Sequence, residues 1–235
     1  MEMNKSRRAR FCPSVFMPFG QKQAKNNRTG KFMIQWVQTA GRMAGGMKAE
    51  ELRQAKGKLR REIRKAAAEL TAEYRREASR QIAAQVLQTE AYRKARTVMG
   101  FVGMPGEPDT REILEDALRS GKTLLLPRCA DRERMEALPA TDLDGLKPGM
   151  WGIPEPEPFA GGTVPEPDLI LVPCVTANTD GVRLGHGAGY YDRFLRGTAA
   201  ETFCLCFGKL AREKIPAGEE DIRIGRVITE ETAGT

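Results

Sequence analysis

The sequence predicts an α/β protein: a single three-layer α/β/α domain around a mainly parallel, Rossmann-like sheet. Segments in which apolar residues recur at helical spacing alternate with short apolar runs through most of the chain, which is typical of such folds. The run Leu169–Val172 is apolar at every position, as expected for a strand that is buried on both faces of a parallel sheet. The 235 residues suffice for one sizeable domain of this kind or two small ones. A ligand site is then expected beyond the carboxyl ends of the strands.

Amphipathic spacing predicts three helices. Between Lys48 and about Ala68, apolar residues recur every three or four positions, which indicates one buried face. Thr71 is a suitable N-cap for a second helix that runs to about Gln88. A third helix is expected over residues 111–120, capped by one of the two polar residues just before it.

Strands are predicted where short apolar or β-branched segments lie between turn residues. They cover Val98–Val102, Lys122–Pro127, Arg134–Leu138, Leu169–Val172 and Thr202–Phe207. The pair Thr229-Glu230 is expected at the end of a last strand.

The basic character of the chain comes from its first 46 residues. The formal net charge is +7, and residues 1–46 hold nine Lys/Arg and one acid, so residues 47–235 carry a net charge of −1. The segment lacks apolar periodicity and lacks the apolar region of a secretory signal. We interpret it as a disordered basic extension, or as translated upstream sequence with the true start at Met47. A mitochondrial transit peptide and an RNA-binding arm are alternatives.

Composition argues against several classes of site and location for the chain. The five cysteines are scattered and the chain has one histidine, which does not favour a zinc site. Unpaired cysteines favour a reduced, cytoplasmic protein. No apolar run reaches the ~18 residues of a membrane span.

The stretch from Asp168 to Leu195 carries the strongest functional pattern. The apolar strand and a polar loop lead into Arg183-Leu184-Gly185-His186-Gly187-Ala188-Gly189, after which a helix begins at Tyr190. Glycines between a strand and a helix let backbone N–H groups approach phosphate oxygens, and Arg183 adds a fixed charge. The spacing is not that of a P-loop or of G-x-G-x-x-G. On these residues alone, a phosphate site and a plain tight turn both remain open.

The same stretch, RLGHGAGYYDRFL after LILVP, resembles the signature of the 5-formyltetrahydrofolate cyclo-ligase (5,10-methenyltetrahydrofolate synthetase) family. The resemblance extends from about Lys56 to Glu230. It implies an ATP- and Mg²⁺-dependent ligase that closes 5-formyltetrahydrofolate to 5,10-methenyltetrahydrofolate and releases ADP and phosphate. In that reaction the formyl oxygen is phosphorylated and N10 attacks the activated carbon. The implied partners are these small molecules, without nucleic acid or membrane, and we expect a cytoplasmic monomer.

The resemblance also implies which residues bind ATP. Lys56-Gly57-Lys58-Leu59-Arg60 matches the family's K-x-x-L-R, whose Lys and Arg contact phosphates. Without the resemblance, this segment is better interpreted as a solvated basic helix face, because other basic residues surround it. The implied ATP-binding residues are Lys56, Arg60, Arg183, Leu184, Gly185, His186, Gly187, Ala188, Gly189, Tyr190 and Tyr191. His186 we interpret mainly as a loop residue.

A second set is implied for the folate. Glu107, followed by Asp109 and Thr110, fits the family's pterin-binding spacing, and a carboxylate can accept paired N–H bonds from an aminopyrimidine edge. Without the resemblance, Glu107 is predicted to be an exposed loop acid. Trp151, within a G-x-[aromatic]-G-I-P-E-P segment, is a flat apolar wall for the pterin or an aromatic at the edge of the core. The implied substrate-binding residues are Val102, Glu107, Trp151 and Tyr190.

For catalysis, the resemblance implies Arg183 and Asp192, and for magnesium Asp192 and Asp221. Where the family commonly has a further Asp, four residues after Asp221, this chain has Gly225. Two alternatives therefore stay open. One is a family-like protein that binds nucleotide and folate without closing the ring. The other is an RNA-associated protein that uses the basic extension.

Overall fold

The computed structural model describes residues 48–232, so the interpretation of residues 1–46 lies outside the described part. Five α-helices are found there: α1 Ala49–Glu69, α2 Ala72–Gln88, α3 Glu90–Lys94, α4 Arg111–Arg119 and α5 Tyr190–Phe194, with a 3-10 turn at Gly208–Leu210. The strands of residues 48–232 are β1 Thr97–Met99, β2 Thr123–Cys129, β3 Met135–Pro139, β4 Lys147–Pro148, β5 Pro154–Glu155, β6 Leu169–Val172, β7 Thr176–Ala177, β8 Arg183–Leu184, β9 Glu201–Leu205 and β10 Arg226–Ile228.

Six of these strands form one sheet in the order β10-β9-β6-β1-β2-β3. Neighbouring strands are parallel except β2 and β3, which pair antiparallel. The chain proceeds outward from β1 through β2 to β3 on one side, and from β6 through β9 to β10 on the other. The direction reverses between β1 and β6, and such a switch point opens a crevice beyond the carboxyl ends of the strands. The predicted α/β class with a mainly parallel sheet is confirmed.

The core lies around the central strands. All four residues of β6 are fully buried, so both faces of this strand are covered, as its unbroken apolar sequence predicted. Ile63 of α1 and Ile82 and Val86 of α2 are buried in the same cluster as β6. A second, smaller cluster gathers Leu114 and Ala117 of α4 with Leu124 and Leu126 of β2. Fully burying each large aliphatic side chain contributes about 1.5–3 kcal/mol.

The long helices match their predicted extents to within one residue. Thr71 caps α2 as expected, because its hydroxyl accepts a hydrogen bond from the N–H of Tyr74 at 3.1 Å. Thr110 occupies the N-cap of α4 but makes no capping bond there. Its hydroxyl donates to the carbonyl of Phe101 instead, and the neighbouring Asp109 carboxylate accepts from the N–H of Arg111 at 3.0 Å.

Strand boundaries differ from the prediction more than helix boundaries do. Strand β1 ends at Met99, not Val102. The N–H of Gly100 still bonds the Leu125 carbonyl of β2, and the next carbonyl, that of Phe101, accepts from the Thr110 hydroxyl. The last strand ends at Ile228, one residue before Thr229. The sequence did not predict the short helix α3, whose cap Thr89 accepts from the N–H of Tyr92. It also did not predict the two-stranded pairs β4–β5 and β7–β8.

Candidate active site

A cavity of about 1010 Å³ opens at the carboxyl edge of the parallel strands, beside the switch point. Its floor comes from residues just past the ends of three strands: Phe101 and Val102 after β1, Cys129 at the end of β2, and Pro173 after β6. Helix α1 closes one side, and the segment from Arg183 to Asp192 closes another. The volume is at the upper end of the ~300–1,000 Å³ typical of ligand sites, so the cavity is large enough for more than a single small group.

The glycine loop begins directly from a short hairpin. Strand β8, Arg183–Leu184, pairs with β7 across the turn at Asn178 and Gly181, and Gly185 then enters the cavity wall. Gly187 and Gly189 have φ values of 116° and 73°, a backbone conformation that side-chain-bearing residues rarely adopt. Gly189 is the N-cap of α5, which has five residues. Because so short a helix has a weak dipole, the positive charge of this wall must come mainly from side chains.

Arg183 supplies one of those charges from a buried position. Its side chain is 3% exposed, and its Nη1 donates to Oδ1 of Asp192 at 2.9 Å. The same carboxylate oxygen accepts from the backbone N–H of Ile222 at 3.1 Å. Within residues 48–232, the buried Nε of Arg183 has no hydrogen-bond partner. The two residues proposed to be catalytic are therefore in direct contact at the cavity wall.

Helix α1 contributes two more cations, one helical turn apart. Lys56 Nζ lies 2.6 Å from both carboxylate oxygens of Asp221, and both side chains are mostly buried. Arg60 Nε donates to the carbonyl of Gly185 at 2.8 Å, which ties α1 to the glycine loop. Burial lowers the pKa of Arg60, and nearby Arg64 lowers it further, although the guanidinium remains charged at neutral pH. The Lys and Arg of the predicted K-x-x-L-R motif, Lys56 and Arg60, therefore face the cavity, while Lys58 between them is exposed.

Glu107, in the loop after β1, also lines the cavity and contacts the glycine loop. Its side chain is only 3% exposed, so the expectation of an exposed loop acid, which held without the family resemblance, is wrong. One carboxylate oxygen, Oε2, accepts from the N–H of Met104 at 2.9 Å. The other, Oε1, lies 2.8 Å from Nε2 of His186 in the glycine loop. Burial, reinforced by the charge of Glu107, raises the pKa of the neighbouring Tyr191 phenol.

An apolar wall completes the cavity. Trp151 is 58% exposed and lines the opening, so it is a surface aromatic and not part of the core edge. Tyr190 donates its hydroxyl hydrogen to the carbonyl of Asp131 at 2.7 Å, which fixes the ring at the rim. Arg193 contacts the same ring: its guanidinium lies 5.5 Å from the Tyr190 ring centre and donates a hydrogen bond to the carbonyl of Ala188.

Two residues of this wall were not predicted from the sequence. Cys129 ends β2, and burial, with Glu155 beside it, raises the pKa of its thiol. Glu155 is itself buried, lines the cavity and accepts from the N–H of Cys129 at 3.3 Å. The only sequence signal for Glu155 was its place in the Ile153-Pro154-Glu155-Pro156 segment, and Cys129 had none.

Asp192 and Asp221 are the two carboxylates predicted to hold magnesium. Mg²⁺ usually binds one or two carboxylates and keeps several waters, so a dedicated cage is not required, and residues 48–232 contain none. Asp192 fits, because it lines the cavity and both of its hydrogen bonds use Oδ1, so Oδ2 has no hydrogen-bond partner among residues 48–232. Asp221 fits less well, because Lys56 and the N–H of Gly218 hold its oxygens. Gly225 lines a separate depression at the amino edge of the sheet, beside Thr202.

All the site residues predicted from the sequence line this one cavity. They are Lys56, Arg60, Val102, Glu107, Trp151, Arg183, Leu184, Gly185, His186, Gly187, Ala188, Gly189, Tyr190, Tyr191, Asp192 and Asp221. Asp109 and Thr110, which the family spacing associated with Glu107, bond elsewhere: Asp109 accepts from the N–H of Arg111 at the start of α4, and the Thr110 hydroxyl donates to the carbonyl of Phe101. The structure fixes these locations, while the roles of the residues stay predictions.

The fold and the site together define an α/β protein with a two-sided switch-point cavity. One side carries three cations and a glycine loop, which suits an anion such as a phosphate chain. The other side carries apolar walls and buried acids, which suits a flat ring with N–H donors.

Comparison with known proteins identifies the class more narrowly. The sequence profile of the 5-formyltetrahydrofolate cyclo-ligase family matches residues 52–230, so the chain belongs to that family. The mouse 5-formyltetrahydrofolate cyclo-ligase is 28% identical over 169 residues, which cover 64% of this chain and 81% of the mouse protein. The Mycolicibacterium smegmatis 5-formyltetrahydrofolate cyclo-ligase is 32% identical over 143 residues, 57% of this chain and 73% of that protein.

A solved structure supports the same assignment. The NMR structure of Aquifex aeolicus 5,10-methenyltetrahydrofolate synthetase superposes with a TM-score of 0.66 at 27% identity, covering 75% of this chain and 90% of that one. The predicted family and the prediction of an enzyme of the ligase class are therefore confirmed. Among residues 48–232, each helix is too short or too polar to cross a membrane.

Proposed function

We propose that this protein closes 5-formyltetrahydrofolate to 5,10-methenyltetrahydrofolate at the cost of ATP, in the cavity between β1 and β6. The observation that carries the proposal is the convergence of a basic, glycine-lined wall and an apolar, acid-bearing wall on one space. ATP phosphates would contact Lys56, Arg60 and the Gly185–Gly189 backbone. The folate would lie against Trp151 and Val102, with its pterin N–H groups at Glu107.

The chemistry requires the two substrates to meet. The formyl group on N5 is an amide, and its oxygen leaves poorly. Transfer of the γ-phosphoryl group forms a bond to that oxygen and breaks the bond to ADP. The N10 lone pair then attacks the formyl carbon, the carbon–oxygen bond breaks, and phosphate departs with that oxygen. N10 gives up its proton as the ring closes.

For such a transfer, a protein mainly positions the partners and stabilises the charge on the phosphoryl oxygens. Arg183 suits that task, because it is buried, cannot lose its proton and is oriented by Asp192. Asp192, with Asp221 as the second candidate, would hold Mg²⁺. The ion, when bound, neutralises phosphate charge.

A ring-closure assay on the full chain tests the proposal. Purified protein, 5-formyltetrahydrofolate and Mg-ATP should produce methenyl absorbance, with one ADP formed per ring closed. Omission of ATP should abolish the signal. Absence of product with native-like folding would refute the proposal and favour a family-like protein that only binds nucleotide and folate. The single sequence feature that suggested this alternative, Gly225, lies at the amino edge of the sheet, away from the cavity lining.

The remaining assignments follow from the same function. A cytoplasmic monomer without nucleic-acid partners stays our expectation. The charge of −1 on residues 47–235 supports the absence of nucleic-acid partners, since binding to a phosphate backbone depends on concentrated positive charge. An RNA-associated role would have to use residues 1–46, and salt-sensitive binding that disappears with that segment would reveal it.

A further inference from the structure

His186 joins the two loops that the proposed function assigns to different substrates. Its Nε2 lies 2.8 Å from Oε1 of Glu107, although the two residues are 79 positions apart in the chain. Glu107 follows β1 and belongs to the folate side. His186 belongs to the glycine loop, which belongs to the phosphate side. In the sequence, His186 is mainly a loop residue, and the family resemblance implies only that it belongs to the ATP-binding segment.

The contact matters to Glu107 because this carboxylate is buried. A buried carboxylate needs hydrogen-bond donors, and leaving one of its oxygens without a donor is unfavourable. The N–H of Met104 serves Oε2, and the imidazole serves Oε1. With both oxygens held, the group has one orientation, and its remaining lone pairs stay available to ligand N–H groups.

The position of the imidazole depends in turn on the glycine loop. Gly185, just before His186, accepts the hydrogen bond from Arg60, and Gly187, just after it, has a positive φ. A phosphate chain that binds Arg60 and the loop N–H groups would fix the backbone on both sides of His186. His186 itself is 38% exposed, so it has room to leave Glu107 when the loop is not fixed.

We propose that His186 is a positioning residue that couples the two substrate sites. Nucleotide phosphates order the glycine loop, the loop holds the imidazole on Glu107, and Glu107 then presents a fixed acceptor to the folate. The inference rests on the proposed function. By thermodynamic linkage, the coupling is reciprocal, so folate binding strengthens nucleotide binding by the same factor. The donor at this contact is Nε2–H, which a neutral ring carries in one of its two tautomers.

Equilibrium titration of the full chain tests the coupling. The affinity for 5-formyltetrahydrofolate is measured with and without Mg²⁺ and β,γ-imido ATP, which does not transfer its phosphoryl group. For the wild type we expect the nucleotide to tighten folate binding by at least about 5-fold, the lower end of common coupling factors. In His186→Ala this ratio should fall to near one, while each substrate still binds alone.

Two further variants separate positioning from general loop damage. His186→Gln keeps an N–H donor at a position close to Nε2 and should restore part of the ratio. In a double-mutant cycle, His186→Ala should change the ratio little when Glu107 is already Gln, because both act through one contact. A structural defect in the loop would instead lower both affinities and leave the ratio unchanged.

The outcomes distinguish the coupling from the proposed function. A ratio that is near one in the wild type, or equal in wild type and His186→Ala, overturns the coupling alone. Failure of the wild type to bind 5-formyltetrahydrofolate at all overturns the proposed function itself.

Discussion

Replacing Asp192 with asparagine tests the centre of the proposed site. The carboxylate of Asp192 holds Nη1 of Arg183 at 2.9 Å and the N–H of Ile222 at 3.1 Å. Asparagine keeps the size and one acceptor oxygen but removes the charge. We expect the ring-closure rate to fall at least ~100-fold, the ~2.7 kcal/mol typical of losing one key electrostatic contact to a transferring group. Added Mg²⁺ should restore part of the rate if the carboxylate binds the ion.

The same substitution should destabilise the fold by a moderate amount. Arg183 is 3% exposed and Asp192 is 26% exposed, so the ion pair is only partly buried. The cost of breaking it therefore lies between the ~0–1 kcal/mol of a surface pair and the ~3–5 kcal/mol of a buried pair. An intermediate loss of about 2 kcal/mol lowers the melting temperature by about 4–8 °C for a domain of this size.

The assay combines initial rates of methenyl formation, a Mg²⁺ titration and thermal unfolding followed by circular dichroism. Asp180→Asn is the matched control, because it makes the same charge change at an exposed position in the turn between β7 and β8. That control should keep both its rate and its melting temperature. A near-normal rate for Asp192→Asn, with unchanged Mg²⁺ dependence, would refute the catalytic role and leave Asp192 as a structural partner of Arg183.

Three other predictions address the two substrates and the extension. Arg60→Ala should weaken ATP binding about 10- to 100-fold, because a charge-assisted phosphate contact contributes ~1.5–3 kcal/mol. Isothermal titration measures the affinity, with the exposed Arg61→Ala as the control. An ATP affinity equal to that of the wild type would contradict the assignment of Arg60. Glu107→Gln should weaken folate binding and spare ATP binding, because one acceptor oxygen becomes an NH2 donor; wild-type folate affinity would leave Glu107 with only its loop contacts, and exposed Glu112→Gln is the control. A chain starting at Met47 should keep its melting temperature and its activity, and loss of folding would show that residues 1–46 belong to the fold.

Much of the fold follows from periodicity in the sequence. The four consecutive apolar residues of β6 predicted a strand that is covered on both faces, and such a strand belongs at the centre of the sheet. Helices α1 and α2 were predictable because their apolar spacing extends over 21 and 17 residues. The pairs β4–β5 and β7–β8 have only two residues per strand, which is too short for any alternation to show. Likewise, the Thr110 hydroxyl bonds the Phe101 carbonyl just past the end of β1, and the local spacing contains no sign of that contact.

The site was predictable in its membership but not in its contacts. The glycine loop and the K-x-x-L-R segment are local patterns, so each could be found in the sequence alone. The contacts between Glu107 and His186, and between Lys56 and Asp221, join segments that only the folded chain brings together. Glu107 is a buried acid and not an exposed one because of how the chain packs around its loop. The sequence of that loop is polar and does not indicate this burial. Cys129 and Glu155 face the cavity for the same reason, since their positions depend on how β2 and β5 approach each other.

The charges of the phosphate side explain why we expect magnesium to arrive with the nucleotide. Each cation there already has a partner: Arg183 has Asp192, Lys56 has Asp221, and Arg60 has the carbonyl of Gly185. These partners hold the cations in place before substrate binds, so little reorganisation is needed when charge develops during phosphoryl transfer. The field is also weak, because the residues that line the whole cavity include six Lys/Arg and five Asp/Glu, a formal net charge of only +1. A triphosphate chain carries more negative charge than that, and bringing it into a cavity with buried acids is unfavourable unless a further cation accompanies it. A divalent ion carried by the phosphates would supply that charge, and the free oxygen of Asp192 lies where such an ion could be retained.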